Sequence, residues 1–276
     1  MTSHPIRIGP AGWSYKDWEG IVYPPHGSRF DPLAYLSGFF DTIEINSPFY
    51  HIPPPGHSKS WVRRVSGNPA FRFTTKVYRG FTHEDPMPPD ADVDAFRNYL
   101  DPLAEGGRLG ALLLQFPWSF KNGPEATARA ERLFELFRDY PLALEVRHSS
   151  FQTAEFVQFL RERNIAFVNI DQPLFHESVK PSAEVTGPVA YVRLHGRNYE
   201  KWFAHAESWE RYNYLYSKEE LRPWAERARM MANEKDVYVI TNNHFRGQAI
   251  VNAGDLEEEL GLDATLPPQL GLTYPR

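Results

Sequence analysis

The run Leu142-Ala143-Leu144-Glu145-Val146-Arg147-His148 alternates apolar and charged side chains, the period-two pattern of a β-strand whose faces meet different surroundings. Leu144 and Val146 suit a face packed on helices, which sends Glu145 and Arg147 the opposite way. Seven further β-rich runs recur at Ile6 to Trp13, Thr42 to Phe49, Phe71 to Val77, Leu109 to Phe116, Ala166 to Asp171, Val189 to His195 and Val237 to Asn242. The run starts lie about 33 residues apart, the length of one strand, one helix and two loops.

Helical patterns fill the intervals. Asp31-Pro32 reads as a cap with proline at the first helical position. Gly123-Pro124 opens 125–137, where Leu133, Phe134, Leu136 and Phe137 form a stripe. Ser217-Lys218-Glu219-Glu220 reads as a capping box before a helix through Met231, and 91–103 and 153–163 share the same period. No composition shift or flexible linker interrupts the alternation. It predicts an α/β fold, a single TIM-type (β/α)8 barrel over residues 1–276. Residues 172–188 hold three prolines and no clear stripe, so the sixth helix is expected to be short or degenerate. An open doubly wound sheet is disfavoured because Gly9-Pro10-Ala11-Gly12 lacks the third glycine of a dinucleotide loop and no Walker lysine pair is present. No cofactor is predicted.

In a barrel, one strand face meets the helices and the other the axis. With Ile43, Ile45, Leu144, Val146, Val192 and Leu194 outward, the inward face receives Glu44, Asn46, Thr74, Lys76, Gln115, Glu145 and Arg147. It continues with Asn169, Asp171, Arg193, His195 and Asn242. Burying one unpaired charge costs several kcal/mol, so these groups must pair or stay wet. A neutral ion-pair plug and a catalytic wall both meet that demand. The wall gains weight because most of the charges sit at strand C-terminal ends, where barrel active sites form.

The first loop carries Trp13, Tyr15, Trp18 and Tyr23. The 22 residues from Gly196 to Ser217 carry Tyr199, Trp202, Phe203, Trp209, Tyr212, Tyr214 and Tyr216. A loop of that length and aromatic content reads as an ordered cover over a pocket or as packing of the barrel mouth.

Composition narrows the chemistry. Zero cysteines exclude disulfides, thiol nucleophiles and thiolate metal sites. Thirty basic against 35 acidic side chains give a net charge of −5, which does not advertise a polyanionic partner. Residues Met1 to Arg7 lack a signal-peptide pattern, and the longest apolar run, Leu109 to Phe116, is far too short to span a bilayer. The expectation is a cytoplasmic protein without a membrane partner. The oligomeric state stays open.

Seven blocks now bear comparison with a known family: Gly9 to Tyr15, Glu44 to Tyr50, Leu114 to Pro117, Glu145 to His148, Tyr191 to Arg197, Tyr212 to Ser217 and Asn242 to His244. Together, in this order and over nearly the whole chain, they resemble the YecE-like family, also called domain of unknown function 72. The resemblance implies a single TIM-type barrel with a polar cleft at the strand C-terminal ends, and it implies no particular reaction. Pro48 stands where the family pattern more often has threonine, so no role of that hydroxyl carries over.

The residues themselves favour an enzyme using general acid–base chemistry on a small anionic, oxygen-rich substrate such as a sugar phosphate or nucleotide-like molecule. Glu44, Glu145 and His195 are the candidate catalytic groups. Trp13, Asn46, Tyr50, Lys76, Gln115, Arg147, Asp171, Arg193, Tyr214 and Asn242 are the candidate substrate-binding residues, with Arg147 and Arg193 suited to an anion. No metal is assigned. A metal-dependent phosphoesterase, nuclease or isomerase, with Glu145, Asp171, His195 and His244 as ligands, ranks second. Schiff-base catalysis by Lys76 ranks third, because Glu44 or Glu145 beside the amine would keep it protonated. A non-catalytic module for carbohydrate or single-stranded nucleic acid, using the aromatic loops with Arg193, Arg197 and Lys201, is the alternative from another class.

Overall fold

In the computed structural model, which describes residues 3–25, 29–204 and 206–275, the eight runs become eight strands. In chain order the elements are β1 Ile6–Pro10, α1 Pro32–Leu36, β2 Thr42–Ile45, α2 Pro55–Arg64, β3 Arg72–Lys76, α3 Arg79–His83, α4 Asp90–Glu105, β4 Leu109–Gln115 and α5 Pro124–Leu136. They continue with β5 Leu142–Glu145, α6 Ala154–Glu162, β6 Ala166–Asp171, β7 Ala190–Leu194, α7 Lys218–Met231, β8 Val237–Thr241, α8 Gln248–Leu260 and α9 Leu270–Thr273. The N-terminal reading at residues 1–2, and the first and seventh loops at 26–28 and 205, lie in part outside the described residues.

Neighbouring strands pair in parallel in the order β1-β8-β7-β6-β5-β4-β3-β2, the sheet of a nearly closed (β/α)8 barrel. The remaining seam, β1 against β2, is held by a bridge between Ala11 and Glu44 and by the Gly12 N–H donating to the Glu44 carbonyl at 2.8 Å. The strands approach so closely here that a Cβ on Gly9 would fall 1.9 Å from the Thr42 carbonyl oxygen. Only glycine fits.

Local chemistry sets the element ends. Asp31 caps α1 by accepting from the Ala34 N–H at 3.1 Å, with Pro32 at the first helical position. Ser217 and Glu220 form the expected capping box of α7. Most strands end before their β-rich runs do, which carries Asn46, Arg147, His195 and Asn242 just past the ladders and into the mouth.

Register fixes the faces, since paired residues of a parallel sheet point the same way. Glu44 pairs with Thr74, Gln115 with Glu145, and Lys76 with Leu113. All lie on the axial side, as expected. The sixth strand is the exception. Val168 pairs with Tyr191 and Ile170 with Arg193, so Val168 and Ile170 face the axis while Asn169 and Asp171 face the helices. Among the described residues the connection 172–189 holds no helix. Its exposed backbone groups account for the inversion: Asn169 bonds the Glu184 carbonyl, the Glu184 N–H and Ser182, work that an apolar side chain could not do.

Candidate functional site

The axial layer at the strand C-terminal ends is built around Arg193. Its Nη2 donates to Glu44 Oε1 at 2.7 Å, and its Nη1 donates to Glu145 Oε2 and, at 3.2 Å, to Gln115 Oε1. The Tyr191 hydroxyl lies 2.8 Å from the second Glu44 oxygen. Glu145 Oε1 also receives Arg147 through Nε at 3.1 Å and Nη2 at 3.0 Å, and His195 Nε2 at 3.1 Å. Glu44, Glu145, Arg193 and His195 are all fully buried. Four strands, β2, β4, β5 and β7, thus meet in one hydrogen-bonded cluster, the condition under which buried charge is tolerated.

The cluster fixes protonation. Burial alone would raise the Glu145 carboxyl, but Arg193, His195 and Arg147 hold it well below the usual range. Burial drives His195 down to about 3, against the pull of Glu145 and with the help of Arg147 and Arg193. The ring is therefore neutral. Asn242 Nδ2 lies 2.9 Å from its Nδ1, which leaves the proton on Nε2, pointing at Glu145.

Lys76 enters the same field differently. Among the described residues it has no hydrogen bond or ion pair; its ammonium lies 4.1 Å from the centre of the Phe49 ring. Burial and Arg193 pull its pKa down to about 7, opposed by Glu44 and Glu145 and assisted by Arg147. His83, packed edge-on against Phe49 with ring centres 5.0 Å apart, is lowered to about 4 by burial and then by Lys76, Arg79, Arg147 and Arg129. Arg147 lies 5.8 Å from the Trp202 ring centre, and its Nη1 makes no hydrogen bond among the described residues. Trp202 is buried and also contacts His195 edge-on at 6.4 Å, so the seventh loop covers the cluster.

The structure thus assembles Glu44, Glu145, His195, Gln115, Arg147, Arg193 and Asn242, with Lys76 beside them. Other predicted positions lie elsewhere. Asp171, expected on the axis, points outward and accepts from Arg197 Nε and Nη2 at 2.8 and 2.7 Å, Tyr216 at 3.2 Å and Trp224 Nε1 at 2.6 Å. Tyr214 donates to Glu220 at 2.6 Å near the start of α7, away from the cluster. Tyr50 is 70% exposed on the rim. Trp13 packs edge-on against Trp61 of α2 and, with Tyr15 and Asn46, lines a separate cleft of about 220 Å³ at the C-terminal ends of β1 and β2. Arg193, expected to hold an anion, is instead buried between two carboxylates.

Residues not singled out from sequence as site residues include Phe49, His83 and Trp202. Phe49 sits in the Glu44 to Tyr50 block and Trp202 in the aromatic seventh loop, signals that were available. His83 carried none. The four residues weighed as metal ligands do not converge: Asp171 faces α7, and His244 stacks on Tyr15 with ring centres 4.3 Å apart. Among the described residues no group of three metal-ligating side chains stands together, and no helix is long and apolar enough to cross a membrane.

A family model described as a protein of unknown function, DUF72, matches residues 7–272. The chain is 29% identical over 285 residues to the UPF0759 protein YunF of Bacillus subtilis (strain 168), covering 97% of this chain and 99% of that one. It is similar to the crystal structure of a DUF72 family protein, TM1631, from Thermotoga maritima MSB8, with 36% identity, 94% and 100% of the two chains covered and a TM-score of 0.80. A second DUF72 family protein, EF0366 from Enterococcus faecalis V583, matches with 29% identity over 95% and 98% of the chains at a TM-score of 0.82.

Proposed function

We propose, for a chain that belongs to the DUF72 family of proteins of unknown function, that the barrel mouth binds a small anionic, oxygen-rich molecule and performs acid–base chemistry on it. The observation that carries this reading is the charge balance of the axial layer. Below about pH 7, where Lys76 is protonated, three cations, Arg193, Arg147 and Lys76, face two carboxylates, Glu44 and Glu145, and His195 is neutral. Arg193 bridges both carboxylates, so the excess positive charge lies on the outer pair, Lys76 and Arg147. An unpaired cation in a half-buried site is stabilised by a bound anion. Arg147, with a free Nη1, presents donors to phosphate or carboxylate oxygens.

Roles shift accordingly from the sequence reading. Glu145, held ionised by its arginines, does not serve as a proton donor, and Glu44 is occupied by Arg193 and Tyr191. They and His195 orient Arg193 and Arg147, while Lys76, whose pKa is about 7, is the group suited to exchange a proton near neutrality. The test is thermal unfolding of wild type and Arg147→Gln with sulfate and with sugar phosphates. Wild type should gain several degrees with added anion and Arg147→Gln should lose most of that gain. Equal gains in both proteins would exclude Arg147 as the anion's partner, and no gain in wild type would remove the reading.

A further inference from the structure

Both carboxylates that could neutralise Lys76 are already bridged by Arg193. The amine sits instead over an aromatic face at the end of β3, half-buried and with no hydrogen-bonding partner among the described residues. The sequence argument against a nucleophilic lysine was that an acid beside it would hold its proton. The geometry removes that argument, because neither acid contacts it.

The geometry points to Lys76 as a nucleophilic amine that forms an imine with the carbonyl carbon of a small anionic aldehyde or ketone, whose charged group rests on Arg147. This step depends on the anion-binding reading above and adds covalent chemistry to it. The neutral amine attacks the carbonyl carbon, forming a C–N bond while the carbonyl π pair moves to oxygen. That oxygen takes a proton as the nitrogen loses one. The C–O bond then breaks with the nitrogen lone pair forming the C=N bond, and the remaining N–H proton joins the departing hydroxide to make water. No electron is gained or lost overall, and one carbonyl and one amine give one imine and one water.

The surroundings support the free-amine form near neutral pH. The groups acting on Lys76 are Arg193 and Arg147, which disfavour its charge, and Glu44 and Glu145, which favour it; His83, across Phe49, is neutral. Burial adds to the arginines, and the amine titrates near 7 rather than 10.5.

The experiment uses dihydroxyacetone phosphate as the probe, with cyanoborohydride to reduce any imine to a stable secondary amine, followed by peptide mapping of the full chain. At pH 7.5, Lys76 should be labelled up to about 10³-fold faster than the exposed Lys121 and Lys218, the ratio of the free-amine fractions at pKa values of about 7 and 10.5, and sulfate should slow the labelling. Lys76→Arg keeps the positive charge but cannot form the adduct. It should retain sulfate stabilisation and lose the fast label. Site mapping in wild type stands even if that variant does not fold. Uniform slow labelling of exposed lysines overturns the imine, and if sulfate still stabilises wild type the anion reading survives that failure. Fast labelling of Lys76 that sulfate does not slow, with no sulfate stabilisation, overturns the anion reading and with it the placement of the substrate's charged group on Arg147.

Discussion

Arg193 Nη2 on β7 and Glu44 Oε1 on β2 meet at 2.7 Å inside the barrel, with both side chains removed from solvent. Opposite walls are therefore tied through one guanidinium. Glu44→Ala takes one of the two carboxylates from Arg193, which keeps Glu145, and one acceptor from the Tyr191 hydroxyl, so it is expected to lower stability by roughly 3 kcal/mol. Urea unfolding measures this. The double replacement Glu44→Leu with Arg193→Met should not recover the loss, because Arg193 also serves Glu145, whose Oε2 would then lose its donor.

Acid should unfold the protein earlier than its carboxylates alone require. His195 has a folded pKa of about 3 against 6.5 when unfolded, so below 6.5 the unfolded chain takes up a proton that the native chain refuses. Stability is full above about pH 6.5 and falls as pH drops toward 3. This one residue should remove about 2 kcal/mol by pH 5. The depressed Glu145 acts in the same direction at lower pH. His195→Gln should flatten the stability profile between pH 5 and 6.5, and a slope identical to wild type would show that the ring is charged in the native state.

Anion binding should weaken as pH rises through about 7, where Lys76 loses its proton in the unliganded protein. Sulfate keeps its charge across this range, which isolates the protein's titration. Isothermal titration should give a higher sulfate affinity at pH 6 than at pH 8.5, with Lys76→Arg abolishing most of the difference. The linked stability effect has the opposite sign. Without ligand, the unfolded lysine holds more protons than the native one between about 7 and 10.5, so this group's contribution to stability rises with pH there.

Asp171 offers a control outside the mouth. Its carboxylate receives Arg197, Tyr216 and Trp224, so Asp171→Asn would set an amide donor among groups that all donate. The expected loss is roughly 2–4 kcal/mol of stability. The rise in melting temperature caused by sulfate should remain that of wild type.

The barrel was legible because apolar neighbours flank the charged residues on β2, β5 and β7 and leave one assignment of faces. The same logic failed on β6, where Val168 and Ile170 fit the axis as well as Asn169 and Asp171 do. The deciding demand came from backbone groups in a connection without a helix, which strand periodicity does not encode. Helix α8 has no one-sided burial to read, because Ala249 through Leu256 are all buried. At the site, the residue types were readable and the pairings were not. Whether Glu145 neutralises Arg193 or Lys76 depends on reach across the barrel, a quantity fixed only when the ring closes.

Closure itself rests on a residue with no side chain. The β1–β2 seam passes the Gly9 backbone against the Thr42 carbonyl, and two residues further on Ala11 bridges to Glu44. Any widening there would admit water beside that carboxylate and raise the local dielectric constant around the Arg193 bridge. The electrical environment of the mouth is thus set partly by how closely two main chains can pass, at a position that carries no charge.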